Sequence, residues 1–345
     1  MNLTTLVLTV LSLLLSIALT GLMRSYAIRA NLLDRPNERS SHSVPTPRGG
    51  GVAIVVTFLL ALAVAAGFAG VPLRLATALG GAGALVAVLG FIDDRRSLSP
   101  SVRFAGHVLA AGWVVFWLEQ IPTIPILGYP VDPSYFGPPL CLLFIAWMIN
   151  LFNFMDGIDG IAGIEAMTVS VGGALLWLNH GLPGTEWVVA LLFGAAVLGF
   201  LAWNFPPAKI FMGDAGSGFT GLTIATLALW CGQTTPALFW SWFILIGCFM
   251  VDATTTLIRR VRRGERFSEA HRTHAYQYAS RLHGEHRPVT VGVGLINLLW
   301  LFPIAAAVAG GWLDGVAGVA LAYAPLLWLA FRYKAGDRAG QKHLA

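Results

Sequence analysis

Residues 138–163 read PPLCLLFIAWMINLFNFMDGIDGIAG. The first part, Pro138 to Ile149, is an apolar run. The second, Asn150 to Gly163, places Asn150, Asn153, Asp156 and Asp159 within ten residues. A bilayer core accepts the first part and rejects the second. The junction therefore marks the end of a membrane helix. Gly157, Gly160 and Gly163 permit a tight return into the membrane and close helix packing. On this reading the rest of the chain supplies the other spans.

Composition agrees. The chain has 345 residues, of which 56% are hydrophobic and 11% charged, and its mean hydropathy is +0.71. Soluble domains carry roughly 25% charged residues. Apolar windows predict spans at 3–23, 50–70, 73–92, 104–119, 139–154, 161–180, 187–204, 217–233, 237–257, 289–309 and 313–331. The expected fold is an all-α, polytopic transmembrane bundle of about eleven spans (10–11), forming one domain over 1–345. The first span lacks a basic residue before it and is too long for a signal sequence. Cys141, Cys231 and Cys248 lie in apolar runs without a metal-binding spacing and read as packing residues.

Charge fixes the expected orientation. With eleven spans, 21 of the 22 Lys and Arg fall on one side, and only Arg74 falls on the other. The positive-inside rule makes the rich side cytoplasmic, with the N-terminus periplasmic and the C-terminus cytoplasmic. The net charge of +5 is then topological, with anionic lipid of the bilayer as its partner. The basic residues are split among loops without a binding module, so no nucleic-acid partner is expected. A homodimer is compatible with the sequence.

The expected cytoplasmic loops are about 24–49, 93–103, 155–160, 205–216 and 258–288. Three carry acids next to helix ends: FIDD (Asp93, Asp94), NFMDGIDG (Asn153, Asp156, Asp159) and FMGDAGSG (Asp214). Five like charges on one face repel unless a cation neutralises them. Hard oxygen ligands favour Mg²⁺, with Mn²⁺ also acceptable. Taken one by one, the acids also suit helix caps. Gly213, Gly216 and Gly218 flank Asp214 before a helix, which predicts backbone N–H groups free for a phosphate. No P-loop motif occurs.

Loop 258–288 has the opposite sign. It contains RRVRRGERFSEAHRTHAYQ, with His271 and His274 spaced to share a helix face. Without a third soft ligand, a phosphate-bearing substrate suits this loop better than zinc. Asp252 lies inside the ninth span, where it marks a functional site or pairs with an Arg of the next loop. Asp34, Arg39, His42 and Arg48 give the Pro- and Ser-rich first loop polar reach toward the same face.

Together DRPNERSSHSVPTPRGGG, GFIDD, NLFNFMDGIDGIAG, NFPPAKIFMGDAGS and HRTHAYQ resemble the polyprenyl-phosphate N-acetylhexosamine-1-phosphate transferases, from about Asp34 to Gln277. The lipid I enzyme of that family has a run of three His where this chain has HRTHAYQ. The variant here looks like the branch that initiates O-antigen or similar surface polysaccharide, within lipopolysaccharide biosynthesis.

The resemblance implies transfer of an N-acetylhexosamine 1-phosphate from a UDP-sugar to undecaprenyl phosphate, with Mg²⁺, on the cytoplasmic face of the bacterial inner membrane. It implies metal binding by Asn153 and Asp214. Asp93 and Asp94 match an acidic pair near the lipid phosphate, one of them a candidate base, and Arg103 a residue holding that phosphate. Asp156 and Asp159 match donor-side acids. His271, Arg272 and His274 match the motif that contacts the donor. The catalytic candidates are thus Asp93, Asp94, Asp156, Asp159, His271 and His274. The substrate-binding candidates are Asp34, Arg39, Arg48, Arg103, Lys209 and Arg272.

Two other readings compete. A transporter places its polar site at the midplane, whereas only Asp252 lies deep here. A CDP-alcohol phosphatidyltransferase carries DGxxAR, and DGIDGI lacks the Ala-Arg pair.

Overall fold

A computed structural model describes residues 3–34, 44–118, 120–126, 129–131, 133, 136–265 and 271–337. The chain is helical almost throughout. The helices are α1 (Leu3–Arg29), α2 (Gly51–Phe68), α3 (Leu73–Arg95), α4 (Pro100–Trp117), α5 (Gly137–Met155), α6 (Ile161–Asn179) and α7 (Glu186–Asn204). After them come α8 (Asp214–Thr234), α9 (Pro236–Leu245), α10 (Gly247–Arg262), α11 (Ala275–His283), α12 (Arg287–Ile296), α13 (Phe302–Ala309) and α14 (Gly315–Arg332). A π-helical turn, Asn297–Leu301, joins α12 to α13. Two small antiparallel pairs complete the described elements: β1 (Leu33–Asp34) with β2 (Thr46–Pro47), and β3 (Ile124–Ile126) with β4 (Tyr129–Val131).

The first helix shows which solvent the fold meets. Its Thr5, Ser12, Ser16 and Thr20 are buried, while Leu6, Leu11 and Leu14 face outward. Ser16 Oγ donates to the Ala196 carbonyl of α7 at 2.5 Å, and Trp203 Nε1 donates to Ile17 O at 3.0 Å. Polar side inward and leucine outward is the arrangement of a helix in lipid, where association comes from close packing and internal hydrogen bonds. The protein is a multi-pass helical membrane protein.

Eight helical segments are long and apolar enough to cross a membrane, and the pair α9–α10 makes a ninth if it counts as one span. Two of the eleven expected spans, α4 and α8, are helical but fall outside that set. For α8 the reason is its surroundings. Every residue from Ala215 to Gly232 is buried. Protein encloses this helix, so Gly, Ser and Thr replace lipid-facing leucine. The hydroxyls of Thr223 and Thr226 donate to Phe219 O and Leu222 O, both at 2.8 Å.

The expected straight span 237–257 is instead bent by 70° between α9 and α10. The break falls at Ile246, next to Gly247, where a methyl group would stand 2.9 Å from Tyr323 Cε1. A straight span here would carry the Arg-rich end of α10 on along the α9 axis.

Close backbone approaches gather the acidic ends around α8. A methyl on Gly51 would lie 2.3 Å from Gly216 Cα, and one on Gly90 would lie 2.5 Å from the Ala215 nitrogen. One on Gly221 would lie 2.1 Å from the Met148 carbonyl oxygen. These contacts pin α2, α3 and α5 to α8 at distances only glycine allows. The ends of α3 and α5 therefore meet the start of α8.

Candidate active site

At that meeting point Asn153 Nδ2 donates to Asp214 Oδ1 at 2.8 Å. Asp94 reaches the same turn: its carboxylate accepts from the backbone N–H of Asp214 at 3.2 Å and of Ala215 at 3.4 Å. The start of α8 was expected to offer these N–H groups to a phosphate. Asp94, an anion of the chain itself, takes them instead, as the dipole of a helix N-terminus favours.

Both members of the acidic pair have a basic partner. Arg48 Nε lies 3.6 Å from Asp94 Oδ1, and its guanidinium also donates to the Asp94 carbonyl. Arg103 Nη1 lies 3.0 Å from Asp93 Oδ2, while Leu98 N–H donates to Asp93 Oδ1 at 2.6 Å. Each carboxylate is enclosed, with only 7% of its side chain exposed. Asp156, just beyond α5, has its carboxyl pushed well above the usual range. Burial is the first cause, followed by the negative charges of Asp214, Asp94 and Asp159. The three acidic loops thus form one electrostatic site.

The histidine loop docks on it. Tyr276 Oη donates to the Phe154 carbonyl at 3.0 Å, and a methyl on Gly157 would stand 2.1 Å from that hydroxyl. The His271 and His274 rings stack with centroids 4.9 Å apart. They do so from a loop and not from one helix face, because His274 is the N-cap of α11, closed by a capping box with Gln277. The His271 imidazole is lowered to about 3, first by burial and then by the charges of His274 and Arg260.

Asp252 explains how the loop is held. Its Oδ1 accepts from Ala275 N–H and its Oδ2 from Tyr276 N–H, both at 2.9 Å. It also accepts from Thr256 Oγ1 at 3.1 Å and lies 3.3 Å from His274 Nδ1. This deep acid therefore caps α11 and seats a histidine; the Arg of the next loop that was one of its two expected roles is not among these contacts.

Asp159 sits on a separate edge. Its Oδ2 accepts from Ala208 N–H at 2.9 Å, and its Oδ1 lies 3.1 Å from His286 Nδ1. Beside it is a cavity of about 500 Å³, lined by Thr46, Asp159, Pro206, Phe211, His286 and Arg287 among others. The Pro206–Pro207 peptide bond in its wall is cis.

Similarity to known proteins gives this geometry a context. The glycosyl transferase family 4 profile matches residues 76–232. The chain is 30% identical to the probable undecaprenyl-phosphate N-acetylglucosaminyl 1-phosphate transferase of Bacillus subtilis, covering 87% of this chain and 83% of that one. It is also 30% identical to the decaprenyl-phosphate N-acetylglucosaminephosphotransferase of Mycolicibacterium smegmatis, over 83% of this chain and 77% of the relative. The chain belongs to the polyprenyl-phosphate N-acetylhexosamine-1-phosphate transferase family. The undecaprenyl-phosphate alpha-N-acetylglucosaminyl 1-phosphate transferase of Escherichia coli K12 is a further relative, 29% identical over 70% of this chain and 67% of its own.

Within this transferase the remaining candidates fall in different places. Asp34 is in β1, opposite Thr46, and Arg39 and His42 lie outside the described residues. Lys209 is exposed, with its ammonium 5.6 Å from the Trp203 ring, turned to α7. Arg272 is in the histidine loop, where its carbonyl accepts from Arg281 at 3.3 Å.

Two residues escaped the sequence reading. Buried Asn204 accepts from Gly160 N–H at 3.0 Å and donates to Ile210 O at 2.9 Å, tying the re-entrant loop to the segment before Asp214. A polar residue closing an apolar run before two prolines was a usable signal. His286 had none, since its partner Asp159 is distant in sequence.

Among the described residues, no group of three or more His, Cys, Asp or Glu is placed to hold a metal ion by itself. An open site suits Mg²⁺, which keeps several waters and takes one or two carboxylates together with substrate phosphates. The donor set of Asp214 beside Asn153, with further acids around Asp156, fits an ion of that kind.

Proposed function

We propose that this transferase moves N-acetylhexosamine 1-phosphate from a UDP-sugar to undecaprenyl phosphate. The products are UMP and an undecaprenyl-diphosphate sugar. The observation that carries this reading is the convergence of Asp94, Asn153, Asp156 and Asp214, with the histidine loop docked on it through Tyr276; the cavity at Asp159 is of a size for a nucleotide. We place the site on the cytoplasmic face of the bacterial inner membrane, in a bundle of eleven spans with the N-terminus periplasmic. The one-sided distribution of Lys and Arg supports that orientation.

Asp214 and Asn153 would hold Mg²⁺, which supplies neutralisation of the donor diphosphate. The chain's own residues do the rest. Arg103, fixed on Asp93, supplies positive charge for the acceptor phosphate. Arg48, fixed on Asp94, does the same beside the start of α8. His271 and Arg272 meet the donor from the α11 side, and Asp159 and His286 border the cavity for its nucleoside. A lipid phosphate is largely ionised at neutral pH, so positioning and charge neutralisation carry most of the catalysis. An acceptor oxygen then attacks the donor β-phosphorus and UMP leaves. Asp93 and Asp94 are the base candidates for any remaining proton. We assign the product to the start of O-antigen or a similar surface polysaccharide.

The test is UMP release by purified protein across UDP-GlcNAc, UDP-FucNAc and UDP-QuiNAc. Release is expected with one of them, and only with undecaprenyl phosphate and Mg²⁺ both present. No release from any donor under those conditions overturns the reading.

A further inference from the structure

The segment after α14 turns back onto the histidine loop. Arg259 of α10 donates through one guanidinium nitrogen to the Ala335 carbonyl and through another to the Asp337 carboxylate. Its guanidinium lies over the Phe331 ring at 5.6 Å. The Lys334 ammonium sits 5.3 Å from the Tyr278 ring of α11. Between these contacts, Gly336 N–H donates to the Thr273 carbonyl at 2.6 Å.

Gly336 is required there twice over. Its φ is +75°, a left-handed conformation that strains other residues. A methyl at this position would also lie 3.0 Å from the Thr256 carbonyl oxygen and 3.1 Å from Arg259 Cβ. Ala335 and Gly336 are buried, so the segment is packed into the molecule.

Thr273 is the middle of the functional loop. It separates Arg272 from His274, and its hydroxyl is 3.0 Å from His271 Nδ1. Asp252 grips the loop at its α11 end, through His274, Ala275 and Tyr276. The Thr273 carbonyl is held by Gly336. A polar loop loses considerable conformational entropy on taking one pose, and two anchors from different helices define that pose better than one.

We propose that residues 333–337 form a clasp that sets the working pose of His271–His274. Gly336, Asp337 and Arg259 are its positioning residues. That the clasped loop serves the sugar donor rests on the function proposed above; the clasp itself does not.

The test uses the full chain in lipid nanodiscs, as R259E, D337R, the R259E/D337R double variant and G336A. Amide hydrogen exchange is read over 271–278, and donor KM and kcat are read from UMP release. Each single variant is expected to speed exchange in that peptide and raise donor KM about fivefold, with kcat nearly unchanged. The double variant, which restores the ion pair but not the donation to Ala335, is expected to recover part of the protection and KM lost in either single charge reversal. Unchanged exchange in all the single variants overturns the clasp. Faster exchange with unchanged donor KM overturns its positioning role, as does a fall in kcat that only tracks the folded fraction. If the wild type releases no UMP, the reaction assigned above fails, and exchange alone still decides whether the clasp exists.

Discussion

Asp252 and the Asp156–Asp214 group are both enclosed carboxylates, and their partners differ. Asp252 is saturated: two backbone N–H groups, a threonine hydroxyl and a histidine surround it. Asp156 is raised first by burial and then by three neighbouring carboxylates, and Asp214 shares an amide with Asn153. A carboxylate whose acceptor sites are filled by the chain builds structure. Carboxylates crowded together store repulsion that a cation or substrate relieves. By this criterion the deepest acid on α10 is the architectural one, and the acids at the helix ends are those left for a cation or substrate to neutralise.

The largest expected effect comes from the crowded group. Asp214→Asn should lower kcat for UMP release by about a thousandfold, with the melting temperature held or raised, because it removes one of the mutually repelling charges. Retained turnover would strike Asp214 from the metal-holding set and collapse the contrast.

Asp252→Ala should act the other way round. It strips two helix N–H groups of their acceptor and should cost about 2 kcal/mol of stability. Turnover should fall less than in Asp214→Asn, and only through the loop. A thermal melt in nanodiscs beside the UMP assay separates the two. An unchanged melt with lost turnover would move Asp252 into the reactive group.

The smallest effect belongs to His271. Its folded pKa is about 3, against about 6.5 when unfolded. Between these values the unfolded chain binds the extra proton, so stability contributed at neutral pH is lost as pH falls below about 6.5. In His271→Gln the melting temperature should drop less between pH 7.5 and pH 5 than in the wild type. An identical drop would mean that the imidazole already titrates freely.

The sequence made the helices and their acidic ends legible because both signals are local. Hydropathy marks each run; Asp93 and Asp156 stand where runs stop, and Asp214 where the next begins. What long-range contact decides was not legible. Nothing near Arg103 announces Asp93, and nothing near Arg48 announces that Asp94 will occupy the start of α8. The bend before Gly247 has no local mark in the sequence, and Gly247 packs against Tyr323, far along the chain. Asp252 looked exceptional because sequence shows depth but not the backbone donors of another helix.

The enclosure of α8 has a practical side. Its Asp214 stands on a post that touches protein on every face. Changes in bilayer thickness or acyl composition press first on outer helices such as α1, and reach Asp214 only through their neighbours. The sheath leaves α8 without a lipid-facing side, so the position of Asp214 is set by contacts within the protein.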